Sequence, residues 1–246
     1  MKKIILFAAA VFLLHTTHAQ LLKKVLGDKT DSSGILNNVL GKGAGGLSAD
    51  EIASGLKEAL SVGAEKAGNS LSSLNGFFGN AAIKVLMPDE AKAVEEKLRA
   101  IGLGEQVDNA ILSMNRAAED AAKSAAPIFV NAIKQMSIKD AAGILKGGDF
   151  AATDYLKDKT TSSLTASFKP VIEKSLEKVN ATKYWNTVFT AYNKFALKKI
   201  NPDLTAYVTE KALNGIFYQV GQEEQKIRKD PLARTSDLLK KVFSNG

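Results

Sequence analysis

Asn115, Arg116, Glu119 and Asp120 place four hydrogen-bonding side chains inside one short, alanine-rich stretch. At helical spacing Asn115 and Glu119 share one face, and Arg116 and Asp120 share the next. Alanines admit a second helix at close range, so these groups are expected to face another helix, and an enclosed carboxylate must then find a partner. The first reading is a hydrogen-bond network locking helices together, with Glu119 paired to Arg116 or to a basic residue elsewhere; the alternative is a ligand site. A second set, Glu224, Arg228, Asp230 and Arg234, surrounds Pro231. Glu224 four residues before Arg228 is the favourable order for a helix ion pair. Salt bridging is the first reading there, and anion capture by Arg228 and Arg234 the second. Third, Trp185, Phe189, Tyr192 and Phe195 form an aromatic stripe at helical spacing, which reads first as core and second as a groove for an apolar or sugar ligand. The candidate binding residues are therefore Asn115, Arg116, Glu119, Glu224, Arg228 and Arg234, and no catalytic residue is assigned.

Much other chemistry is excluded by what the chain lacks. It has no cysteine, and its two histidines, His15 and His18, both lie in the first nineteen residues. Those residues have the layout of a secretory signal: Lys2 and Lys3, an apolar run from Ile4 to Leu14, then Thr17-His18-Ala19. The run is far shorter than the roughly 20 residues of a spanning helix. Cleavage between Ala19 and Gln20 is predicted, followed by export to the periplasm. The remaining chain has no imidazole to serve a nucleophilic triad, no usual ligand set for zinc, haem or iron–sulfur clusters, and no disulfide. No metal and no cofactor is expected. A formal net charge of +7, lowered by two when Lys2 and Lys3 leave, is spread without a long basic block. It suits solubility first and anionic surfaces second; export argues against nucleic acid.

The elements that would position these groups are helices. Residues 20–46 contain Ser32, Ser33, Gly34 and a glycine-rich stretch from Gly41 to Gly46, the composition of a flexible arm. From Leu47 the grammar changes. Ser48 and Glu51 form a capping box, with Leu47 and Ile52 as its staple, and Ile52, Leu56, Leu60, Ala67, Leu71 and Leu74 follow on one face. Asn75-Gly76 ends that helix, with Phe77-Phe78 plugging the core. Pro88 opens another, a longer one runs toward Pro127, and Ser137 with Asp140 forms a second capping box. Asp149 is placed to cap the next helix, Pro170 to kink or break one, and Asn201-Pro202-Asp203 to start a helix from Leu204 to about Lys229. No sustained period-two run appears. The expected fold is all-α, a single multi-helix globular bundle over residues 47–246, preceded by a cleaved signal peptide (1–19) and a flexible arm (20–46).

The segments Leu47–Leu60, Asn75–Phe78, Met114–Glu119, Pro127–Leu145, Ala151–Thr160, Leu204–Phe217 and Glu224–Phe243 resemble the bacterial family known as domain of unknown function 4197. The resemblance covers nearly everything after residue 47. It implies an exported helical protein and brings no activity, substrate or partner. Where the family commonly has an aspartate before the glycine, this chain has Asn75, and a turn accepts either.

Two functions follow as expectations. The first is a non-enzymatic periplasmic binding or scaffold module whose partner is an apolar or anionic envelope component or another envelope protein, with no transmembrane segment in the mature form. The alternative is an acid-pair glycoside hydrolase acting on cell-wall polysaccharide, since that chemistry needs only two carboxyls and Glu119 could supply one.

Overall fold

The computed structural model describes residues 48–194, 199–200, 203–230, 240 and 242. The segments 1–19 and 20–46, together with Leu47, Phe195, Pro231 and Arg234, lie outside the described residues. Eight α-helices and no strand occur among the described residues. They are α1 (Ala49–Ser72), α2 (Lys92–Ala100), α3 (Gly104–Ala122), α4 (Ala125–Gln135), α5 (Ile138–Lys146), α6 (Ala151–Glu177), α7 (Ala181–Tyr192) and α8 (Leu204–Lys229), with one 3-10 turn at Asp89–Ala91.

Both capping boxes form as the sequence predicts. Ser48 accepts from the Glu51 N–H and Ser137 from the Asp140 N–H, each with the reciprocal bond. α8 is the central helix, packing on α6, α1 and α3, while α6 packs on α3 and α1 on α4. Small residues set these distances: Ala117, Ala118, Ala121 and Ala122 of α3 are buried, and a Cβ on Gly63 of α1 would stand 3.6 Å from the Glu223 Cβ of α8. One large buried cluster runs through the bundle, with Phe77, Phe129, Phe168, Leu164 and Ile216 fully enclosed, and two small ones flank it.

Three local expectations are corrected and a fourth is narrowed. Leu74 is exposed, because α1 stops at Ser72 and the turn carries Leu74 off its apolar face. The helix running toward Pro127 is two: α3 ends at Ala122 and Pro127 sits in the first turn of α4, where its missing N–H costs nothing. Of the two readings of Pro170, a kink or a break, the break does not occur: α6 continues through it, held by Phe168, Ile172 and Leu176, which are completely buried around it. Asp149 does not cap α6. The N-cap position is Phe150, which makes no side-chain cap bond, and the cap comes from another helix.

Candidate functional site

Two of the four α3 polar residues, Asn115 and Glu119, are buried, but what they face is irregular backbone. Asn115 and Glu119 are 0% and 4% exposed. They point at residues 73–88, the non-helical crossing between α1 and the 3-10 turn, and not at another helix as the alanines suggested. Asn115 behaves as a side-chain strand partner. Its Oδ1 accepts from the Val85 N–H at 2.8 Å, and its Nδ2 donates to Val85 O and Ile111 O, both at 2.8 Å. Glu119 Oε1 accepts from the N–H groups of Phe77 and Phe78, each at 3.1 Å. Arg116 donates to Glu119 Oε2 and, at 2.9 Å, to Asn75 Oδ1. Asn75 has a φ of 67°, the left-handed turn that an Asn tolerates, and Gly76 follows because a Cβ there would lie 2.5 Å from the carbonyls of Ser70 and Leu71. The crossing is thereby pinned at Asn75, Phe77, Phe78 and Val85, and Phe77 is driven onto α8, where a Cβ on Gly215 would meet its ring at 2.4 Å.

The second set is also a joint. Glu224 of α8, 5% exposed, accepts from the Ala152 N–H at 3.0 Å, the Thr153 N–H at 2.8 Å and the Thr153 hydroxyl at 2.7 Å. It is the missing cap of α6, a carboxylate at the positive end of the helix dipole. Arg228 donates to Glu224 Oε1 through Nε (2.9 Å) and Nη2 (2.8 Å), and to Ile144 O at the C-terminal end of α5 (2.9 Å). One ion pair thus closes the end of one helix and the start of the next. Arg234, the second cation of the anion-capture reading, is outside the described residues.

The aromatic stripe has a different setting. Trp185 and Phe189 of α7 are buried, their ring centroids 4.4 Å apart, and they form the floor of a cleft of about 640 Å³ between α7, α2, α3 and the first residue of α8. Val107 and Met114 complete the buried floor, and Leu98 the α2 wall. The rim is apolar yet exposed: Leu103 at 37%, Val179 at 52% and Tyr184 at 66%. Gln106, Asn109 and Ser113 are its polar lining residues, and no charged side chain lines it. Neither Glu119 nor Glu224 reaches this cleft.

A family model, described as a protein of unknown function (DUF4197), matches residues 46–244. The chain belongs to the DUF4197 family. The match opens two residues before the Ser48 capping box and spans all eight helices, so this family is the helical unit itself. No curated protein and no solved structure matches the chain. Among the described residues no group of three or more His, Cys, Asp or Glu is placed to hold a metal ion, and no helix is long and apolar enough to cross a membrane.

The candidate binding residues read from the sequence were polar, whereas the open cleft is apolar and its floor comes from Trp185 and Phe189 of the aromatic stripe, whose second reading was a groove. Val179, Tyr184, Leu98 and Leu103 carry no local mark, since each is one apolar residue in a patterned helix or turn. What sets them apart is that α2 and α7 stand apart over α3, which depends on the packing of the whole bundle. The signal in the sequence was the stripe itself, with Tyr184 beside Trp185 supplying an exposed aromatic at the rim.

Proposed function

We propose that the protein is an exported, non-enzymatic binding module that holds one hydrocarbon chain in the cleft over Trp185 and Phe189. The observation carrying this is the cleft of about 640 Å³ with a buried aromatic floor, an exposed aliphatic rim and no charged lining residue. That volume is in the range of small-ligand sites, roughly 300–1,000 Å³, which are mostly apolar with a few polar groups. An apolar rim left in water is costly unless something covers it. Export rests on the three-part pattern of residues 1–19, and an envelope supplies acyl chains in abundance.

The chain's sole tryptophan is on the cleft floor, so occupancy has a built-in reporter. Titration with N-phenyl-1-naphthylamine, a neutral apolar probe, is expected to saturate at one per chain and to shift or quench Trp185 emission. Absence of saturable binding sinks the reading. Mass spectrometry of periplasmic protein should find Gln20 first; intact Met1 in the membrane fraction sinks the export half. The glycosidase alternative gains no support from the cleft geometry: it needs two carboxyls across a cleft, and the apolar cleft is lined by none.

A further inference from the structure

A second cleft, of about 450 Å³, backs onto the first. Met87 lines both, and the Trp185 ring of the first stacks on the Tyr207 ring of the second, centroids 6.1 Å apart and planes 17° from parallel. The two are therefore separated by the thickness of a side chain. Their chemistry is opposite. The second is lined by three lysines, Lys84, Lys92 and Lys211, and one carboxylate, Asp89.

Lys92 pairs with Asp89 at 2.8 Å. The other two ammonium groups rest on rings: Lys84 lies 3.8 Å above the Phe78 centroid and Lys211 lies 5.5 Å from that of Tyr207. Among the described residues neither makes a salt bridge, although both side chains are half-buried. A ring face compensates a partly desolvated cation less well than a carboxylate does, so each lysine retains capacity for an anion. Glu90 and Glu210 act with Asp89 on the Tyr207 phenol, whose pKa burial pushes up to about 12. With acids on that side, the cleft suits one negative charge rather than a polyanion.

Resting on the reading that the first cleft holds a hydrocarbon chain, we infer that the paired clefts bind a single-chain amphiphile with an anionic head. The chain lies over Trp185 and Phe189, crosses Met87, and brings a carboxylate or phosphate to Lys84 and Lys211.

The test displaces N-phenyl-1-naphthylamine with oleate, oleyl phosphate and methyl oleate, below their aggregation concentrations, from the wild type and from the double variant Lys84→Gln, Lys211→Gln. Circular dichroism checks that the variant is folded. Wild type is expected to prefer an anionic ligand over the ester by about tenfold, the worth of a charged hydrogen bond. The double variant should lose that preference while binding the ester unchanged, and comparing oleate with oleyl phosphate says which acid is favoured. Equal affinity of wild type for anions and ester overturns the headgroup inference and leaves the apolar cleft standing, as does a preference that survives in the double variant. No displacement by any of the three, with the probe itself failing to bind, overturns the cleft reading beneath it.

Discussion

The two faces of α3 solve opposite problems. On one, Asn115 and Glu119 are buried and their polar atoms are taken up by Val85, Ile111, Phe77, Phe78 and Arg116, with Phe77 seated on the α8 backbone at Gly215. On the other, Val107 and Met114 look into about 640 Å³ bounded by apolar side chains. Saturated polar groups in a close-packed setting hold the fold and have little left to offer a ligand. Space lined by apolar surface contributes less packing than it could and is available to one. On the proposed reading, the polar residues of this helix mark joints of the fold, and its unfilled side marks the site.

The strongest way to break that contrast is to delete the carboxylate. Glu119→Ala strips the Phe77 and Phe78 N–H groups of their acceptor and leaves Arg116 with Asn75 alone. A loss of about 2–4 kcal/mol is expected in urea melts, because two buried N–H groups lose their acceptor at roughly 1–3 kcal/mol each. Glu119→Gln should lose less, because its amide oxygen still accepts. A change below about 0.5 kcal/mol, as for an ordinary surface substitution, would show that the knot does not hold the crossing.

Adding volume to the same region comes next. Gly215→Ala puts a Cβ 2.4 Å from the Phe77 ring, and the ring cannot retreat because Phe77 is completely buried and its N–H is held by Glu119. About 1–3 kcal/mol of destabilisation is expected, the usual cost of overpacking. Measured stability equal to wild type would mean that the crossing is free to shift.

Legibility from sequence divides along the same line. Local rules sufficed for Ser48–Glu51 and Ser137–Asp140, and the Asp203 cap lies where Pro202-Asp203 placed it, because caps involve residues three apart. The burial of Asn115 and Glu119 was legible from the alanines beside them. Their partners were not, since Phe77 and Val85 lie 42 and 30 residues away and offer backbone, which has no sequence signature. The α6 cap was missed for the same reason: Glu224 is 72 residues from Ala152. Of the cleft, the Trp185 and Phe189 floor was legible as an aromatic stripe, but its opening was not, being defined by where helices α2 and α7 fail to close over α3.

A milder test compares these buried carboxylates with Asp140, a carboxylate doing similar capping work in water. The Ser137 hydroxyl and backbone N–H hold its carboxyl below the ordinary 3.8. With the folded value depressed, its stabilisation is present above the unfolded value and is lost as pH falls through the lower folded one. Asp140→Asn should cost about 1 kcal/mol or less at pH 7, in the range of a lost cap, with the gap between variant and wild type narrowing below about pH 4. A gap that widens in acid would contradict the sign.

The smallest expected effect on stability belongs to the cleft, and it makes the comparison sharpest. Ala110 is half-buried and lines the apolar cleft, so Ala110→Phe adds bulk on α3 just as Gly215→Ala adds it on α8. The surroundings differ. Gly215 faces a ring already in contact, whereas Ala110 faces a space bounded by Trp185, Leu98 and Val179, with Tyr184 at its rim. A phenyl ring placed there meets no displaced backbone and covers apolar surface, so stability should change by less than about 0.5 kcal/mol or rise slightly from the area buried. Binding should move the other way: the ring occupies the volume assigned to the hydrocarbon chain, and the affinity for N-phenyl-1-naphthylamine is expected to fall at least about tenfold. Unchanged stability with lost binding is the signature of a site. Destabilisation comparable to Gly215→Ala would instead show that this side of α3 is packed as tightly in solution as the other, and the distinction between the two faces would fail.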